Sequence, residues 1–164
     1  MMKGGRTLAE DFINHEIRNQ FSRVLDKLRV AVENFPVEEW RKGESPYQRP
    51  AGLAAHILST IDFYTSGLTS DQFPWGKRLG CNWEDPRDDV LPSQKLVLAY
   101  LQEMARRILK WTSRTDFTMP DELYPYTGKT VLGRAFYLIR HTESHLAELS
   151  LELRRRGYLG PEWK

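Results

Sequence analysis

Apolar residues recur at three- and four-residue steps in four stretches of the chain, the spacing of one helix face. The first stretch begins after Thr7-Leu-Ala-Glu10, which has the form of a helix capping box. It ends at Phe35-Pro36, because proline cannot continue the helical hydrogen-bond ladder. The pattern therefore predicts a long first helix whose apolar stripe is Ile13, Ile17, Phe21, Val24, Leu28 and Val32.

A second helix is predicted from about Pro50 to near Gly67. Proline suits a first helical position, and glycine suits a left-handed residue after the last turn. Its core face is Leu53, Ile57, Ile61 and Tyr64. Residues 68–91 are rich in Gly, Pro, Asp and Trp and predict a long crossover, a length of loop that is often functional.

The third helix is predicted from Pro92-Ser93 to about Trp111, with an apolar stripe of Leu96, Ala99, Tyr100, Met104, Ile108 and Trp111. The fourth is predicted from Thr130 to Gly157, with a stripe of Val131, Ala135, Leu138, Thr142, Leu149 and Leu153. Four amphipathic helices bury their stripes against one another, which predicts an all-α four-helix bundle with a long crossover between helices 2 and 3.

The composition agrees with one domain over residues 1–164. The chain is 40% hydrophobic, enough for a core, and its 28% of charged residues are interleaved to a net charge of +2. Nucleic-acid binding is not expected, since it needs basic residues concentrated on one face. The one basic run, Arg154 to Arg156, falls in the last helical turn, where the helix dipole favours cations, and is interpreted as solvated rather than as a phosphate site.

The chain has a single cysteine, Cys81, so an internal disulfide is excluded. No histidine or lysine that would lower the pKa of its thiol lies beside it in the sequence, and it is interpreted as an ordinary loop cysteine. The chain contains neither a signal-like apolar stretch nor a run of roughly 20 apolar residues. We therefore expect a cytoplasmic protein without a membrane span.

Three histidines are the most informative functional feature. His141 and His145 are four residues apart and share one helix face, a spacing that also occurs in histidines that are structural or merely solvated. On a helical wheel, however, His145 and His56 both lie at the edge of their apolar faces, which suits a half-open pocket between two helices. Three imidazole ligands with open positions are typical of a catalytic site for zinc or nickel.

Metal-binding histidines usually donate their second ring nitrogen to a carboxylate or carbonyl. Glu148, Glu152 and Asp62 are candidates for this role, and none is preferred, since surface acidic residues are often simply solvated. The fourth histidine, His15, projects away from its apolar stripe and is expected to be exposed or at an interface rather than a ligand.

In combination, these motifs resemble the DinB-like family of four-helix bundles, which also contains metal-dependent thiol transferases. The resemblance covers nearly the whole chain and is carried by Glu-Glu-Trp40, by Ala-Gly-Leu-Ala-Ala-His56-Ile-Leu and by His141-Thr-Glu-Ser-His145-Leu-Ala-Glu-Leu. It implies that the three histidines form a metal triad, that the protein is a homodimer, and that a low-molecular-weight thiol takes part in any transfer or isomerisation.

The crossover sequence from Phe73 to Trp83 departs from the family's pattern. Trp75, Arg78 and Trp83 are predicted to line the pocket and hold an anionic substrate. For the two tryptophans, anchoring of the loop to the core is the favoured alternative, because large aromatic side chains dominate packing. Three functions stay open at this point: a metal-dependent transferase or hydrolase, a non-enzymatic metal-binding or dimeric interaction module, and a bundle with an empty vestigial site.

Overall fold

Four α-helices make up the regular structure of the computed structural model, which describes residues 8–81 and 91–162. They are α1 (Leu8–Asn34), α2 (Pro50–Ser66), α3 (Gln94–Arg114) and α4 (Val131–Arg155), and two short 3-10 helices, Pro46–Gln48 and Pro125–Thr127, precede α2 and α4. α1 and α2 each pack against both α3 and α4. The predicted four-helix bundle is confirmed.

Most helix ends follow the local signals in the sequence. α2 starts at Pro50 and is closed by Gly67, whose φ of 77° lies in the left-handed region that glycine adopts without strain. The Ser93 and Thr130 side chains accept hydrogen bonds from the first turns of α3 and α4. α3 continues about one turn beyond the predicted end, to Arg114, and the predicted Thr7 capping box lies outside the described residues.

α2 is buried around most of its circumference, because α3, α4 and the crossover cover it. Its partly exposed positions are His56, Ser59, Thr65 and Ser66. His56 therefore occupies one of the few positions of α2 that solvent reaches. None of the helices in the described part of the chain is long and apolar enough to span a membrane.

The stripe of α3 differs from the prediction in its first two turns. Leu96 is 42% exposed and Ala99 is exposed, whereas Val97 and Leu101 are buried with Tyr100, Met104 and Ile108. At about 100° per residue, Leu96 lies roughly 100° from the centre of this buried face. The three- and four-residue spacing alone predicts that Leu96 is in the core. The neighbouring helices instead cover the face on which the next residue, Val97, lies.

The described part of the crossover packs onto the bundle through buried Phe73, Leu79 and Cys81. Cys81 therefore lies in a loop, as predicted, with its side chain inside the core. Buried structural cysteines are generally inert, which agrees with the interpretation of Cys81 as an ordinary loop cysteine.

The basic run at the end of α4 is only partly solvated. Arg154 and Arg155 are exposed, but the Arg156 side chain is 14% exposed and pairs with Glu152. Its guanidinium donates to three backbone carbonyls of the α1–α2 connection at 2.8 Å each, those of Glu39, Lys42 and Gln48. Arg156 thus anchors the end of α4 to that connection, and the prediction of a fully solvated run is wrong at this residue.

Candidate metal centre

The three predicted histidines meet where α2 packs against α4. The ring centre of His56 lies 5.1 Å from that of His141 and 4.8 Å from that of His145, and the two α4 rings are 4.5 Å apart. One potential ligand atom from each ring lies within 4.8 Å of the others. Residues 85 positions apart in sequence therefore form one cluster that could hold a metal ion.

The separation of two ring nitrogens fits a metal site. The Nε2 atoms of His56 and His141 are 3.3 Å apart. Two nitrogens bound tetrahedrally to zinc at about 2.0–2.1 Å would lie about 3.3 Å apart. This pair already has the spacing that a shared ion requires, and imidazole nitrogen is a suitable donor for zinc and nickel.

All three histidines are partly buried, and for His56 and His145 this agrees with the helical wheel, which places both at the edge of the core. Burial first, and then the neighbouring His145 and His141 rings, lower the pKa of His56 from 6.5 to about 3. Burial and the His145 ring lower the pKa of His141 to about 4. At neutral pH both rings are therefore uncharged and have a lone pair available for a cation.

The Nδ1 atom of His141 is buried and has no hydrogen-bond partner among the described residues. Buried polar atoms in proteins are rarely left in this state, and exceptions commonly mark functional sites. Because no hydrogen bond at Nδ1 orients the ring, packing and the contacts of its Nε2 side position it. His141 thus lacks the partner at its second nitrogen that metal-binding histidines usually have, and in this respect it differs from His145.

Glu148 orients the third histidine. Its Oε2 atom lies 2.6 Å from His145 Nδ1, so the carboxylate can accept the Nδ1 proton and leave the Nε2 lone pair unprotonated. Of the three acidic candidates, only Glu148 has this contact in the described structure. Asp62 is buried between α2 and α3, where it accepts a hydrogen bond from Tyr100, and Glu152 pairs with Arg156.

Two tyrosines flank the cluster, and sequence reasoning missed both. Tyr137 stacks on His141, with ring centres 6.1 Å apart and planes at 26°, and Tyr47 stacks on His145 at 6.2 Å and 21°. Tyr137 precedes His141 by four residues, so the helical spacing that linked the histidines also predicts this neighbour. Tyr47 comes from the 3-10 helix Pro46–Gln48, and no local pattern indicates its contact.

Trp75 lies against the C-terminal half of α2. Its ring centre is 4.9 Å from that of Phe63 and 4.7 Å from that of Phe73, and its indole N–H donates to the Ser70 carbonyl. Phe63 follows His56 by seven residues, about 10 Å along the helix. These contacts favour the loop-anchoring interpretation of Trp75, while Trp83 lies outside the described residues.

Arg78 belongs to an ion-pair network between the crossover, α2 and α3. Its guanidinium pairs with Asp62 and Glu103, and Asp62 Oδ1 lies 2.7 Å from Arg107 Nη1. The charge of Arg78 is thus already balanced by protein carboxylates, and a role in substrate binding stays a prediction. His15, on α1, is exposed as predicted and contacts Glu16 and Asn19.

Comparison with known proteins places this arrangement in a family. No curated protein matches the chain. The DinB superfamily, however, matches residues 20–149, a span that runs from α1 into α4 and includes all three clustered histidines. The chain therefore belongs to the DinB superfamily.

Proposed function

We propose that His56, His141 and His145 bind one divalent metal ion, zinc or nickel, and that the protein uses it in a transfer or hydrolysis reaction that depends on a low-molecular-weight thiol. The observation that carries this proposal is the convergence of three imidazoles, two of them with Nε2 atoms 3.3 Å apart. Three protein ligands leave room for water or a ligand, as in catalytic rather than structural zinc sites.

A bound divalent ion would supply Lewis acidity, which favours the deprotonated form of a water or thiol in an open position. The protein's own residues prepare the site for this chemistry. Burial keeps His56 and His141 neutral, and the Glu148 carboxylate is placed to accept a hydrogen bond from His145 Nδ1. The stacked rings of Tyr47 and Tyr137 limit rotation of the two α4 imidazoles.

Two observations support a thiol as the ligand. The sequence resembles a family that includes thiol-dependent transferases, and the chain's single cysteine, Cys81, is buried in the crossover packing. A thiolate at the open position would therefore come from a small molecule rather than from the chain itself.

The metal is tested by elemental analysis of protein purified without a metal-affinity tag. We expect about one divalent ion per chain in the parent protein and far less in His145→Ala, because two rings hold the ion much less tightly than three. His15→Ala is the matched control, since this exposed histidine lies on α1, outside the cluster. Equal metal in all three proteins would overturn the assignment.

The thiol is tested by calorimetry in two buffers of different ionisation enthalpy. A thiol that binds as thiolate releases a proton, so the measured heat should differ between the buffers. A screen for thiol consumption with electrophilic substrates then tests turnover. Metal-loaded protein that binds no thiol would instead indicate a non-enzymatic metal-binding module, and protein that takes up no metal would indicate a vestigial site.

A further inference from the structure

Three cations, which we call the cation row, lie along the outer face of α3. They are Arg106, Lys110 and Arg114, all exposed and four residues apart. Each step of four residues rises about 6 Å, so the row is about 12 Å long. Like charges at this spacing destabilise a helix. The helix dipole favours a cation at Arg114, in the last turn, but not at Arg106, two turns earlier. Helix stability therefore does not account for the whole row.

The carboxylates near the cation row are engaged elsewhere. Glu103, the only acidic residue of α3, pairs with Arg78 of the crossover. The buried carboxylate of Asp62 lies 2.7 Å from the guanidinium of Arg107, which is next to the row. In the described part of the chain, no carboxylate forms an ion pair with a cation of the row itself. The charge of the row is therefore available to an external anion.

The cation row and Arg107 line one groove with a volume of about 520 Å³. Thr65, from the last turn of α2, and Trp111 also line it. Sites for small molecules usually have volumes of roughly 300–1,000 Å³, so the groove is large enough for such a ligand. Thr65 follows His56 by nine residues, about 13.5 Å along α2 and about half a turn around it. The groove is therefore separate from the metal centre.

Phosphate groups are the anions that suit this groove best. The guanidinium of arginine presents a planar fork of N–H groups that matches two phosphate oxygens, and lysine adds a compact charge. A single phosphate reaches only part of a row about 12 Å long, whereas several linked phosphates can contact successive cations. Proteins that bind DNA through its backbone contact about 6–10 phosphates, more than the four cations of the groove can. The groove thus fits a small anion with several charges.

We propose that the groove lined by Arg106, Arg107, Lys110 and Arg114 binds a small anion that carries two or three linked phosphate groups. The arginines donate N–H groups to the phosphate oxygens, and Lys110 neutralises charge between them. This site goes beyond the proposed function and does not depend on it, since neither the metal nor a thiol takes part.

The site is tested by isothermal titration calorimetry with inorganic triphosphate and orthophosphate at low ionic strength, where exposed charges are least screened. One exposed ion pair changes an equilibrium by up to about fivefold. Triphosphate can reach about two more cations than orthophosphate, so we expect it to bind about tenfold more tightly. The double variant Arg106→Gln/Arg114→Gln should lose about tenfold in affinity for triphosphate.

Arg154→Gln/Arg155→Gln is the matched control, because it removes two exposed arginines from the last turn of α4. It should keep the affinity for triphosphate within about twofold. A parent protein that binds triphosphate no more tightly than orthophosphate, or a groove variant that keeps the parent affinity, would overturn the site. Equal losses in the groove and control variants would also overturn it, because only the net charge would then matter.

His145→Ala separates this site from the metal centre. We expect this variant to bind triphosphate as the parent does, whether or not the protein holds a metal ion. A loss as large as that of the groove variant would show that triphosphate binds at the metal centre, and the groove would not be its site. Failure of the metal proposal, by contrast, leaves the expected affinities for triphosphate unchanged.

Two further ligands identify the source of the phosphates. Adenosine triphosphate carries the same three phosphates. Tighter binding than inorganic triphosphate would support the site as one for a nucleotide, and equal binding would support recognition of the phosphates alone. A short single-stranded oligonucleotide that binds more tightly than either, and loses this affinity in the groove variant, would instead show a nucleic-acid surface and overturn the proposal of a small ligand.

Discussion

Replacing Glu148 with glutamine should weaken metal binding by about tenfold, or about 1.4 kcal/mol. The carboxylate lies 2.6 Å from His145 Nδ1, and the amide keeps its shape while losing its charge. Removing such a partner from a metal-bound histidine typically costs 10- to 100-fold in affinity. The Glu148 side chain is 41% exposed, so solvent screens its charge and we expect the low end of that range.

Competition with a chromophoric chelator at neutral pH measures this affinity, and Glu143→Gln is the control. Glu143 lies on α4 between the two histidines and pairs with Lys27, so its replacement removes the same charge without touching an imidazole. We expect less than a twofold change in the control, since Glu143 contacts no imidazole in the described structure and the charge of a partly exposed side chain acts weakly at a distance. Equal losses in the two variants, or no loss in Glu148→Gln, would refute the role assigned to the His145–Glu148 hydrogen bond.

Four further outcomes are expected. Chelated protein should keep its helical circular dichroism at neutral pH, because the four apolar stripes form the core without the metal; loss of the signal would mean that the metal is structural. The contribution of His56 and His141 to the free energy of unfolding of that metal-free protein should be constant above about pH 6.5 and fall as the pH drops towards 4. The pKa values of both histidines are depressed in the folded protein, so the unfolded chain takes up protons first. The free energy of unfolding should then fall by up to about 1.4 kcal/mol per pH unit for each proton. In urea titrations, the free energy of unfolding of His56→Gln should depend less steeply on pH than that of the parent protein, and an unchanged slope would contradict this. Asp62→Asn should lower the free energy of unfolding by about 2 kcal/mol, because it leaves Arg107 and Arg78 without their buried carboxylate. Urea unfolding measures this change, and an unchanged midpoint of the unfolding curve would show that solvent screens the network. Light scattering should give twice the 19.2 kDa mass of one chain, because the family resemblance implies a homodimer, and a monomer mass at micromolar concentration would refute it.

Much of the fold could be predicted because its determinants are local. Pro36, Gly67, Ser93 and Thr130 mark helix boundaries through backbone chemistry that acts within one turn. The apolar stripes of α1, α2 and α4 follow the helical period, and their burial agrees with it. The spacing of His141 and His145 is also a property of one helix, so their shared face was readable before the fold was known.

The tertiary structure decided which faces meet and which partner each side chain takes. Three acidic residues were equivalent candidates to orient a histidine. The contact of Glu148 with His145 lies within one turn of α4 and is local, whereas packing directs Asp62 to arginines of α3 and of the crossover. The stacking of Tyr47 on His145 joins the α1–α2 connection to α4, and the apolar period does not encode such a contact. Periodicity specifies a face within a helix, whereas the pairing of faces across loops depends on how all four helices fill the core together.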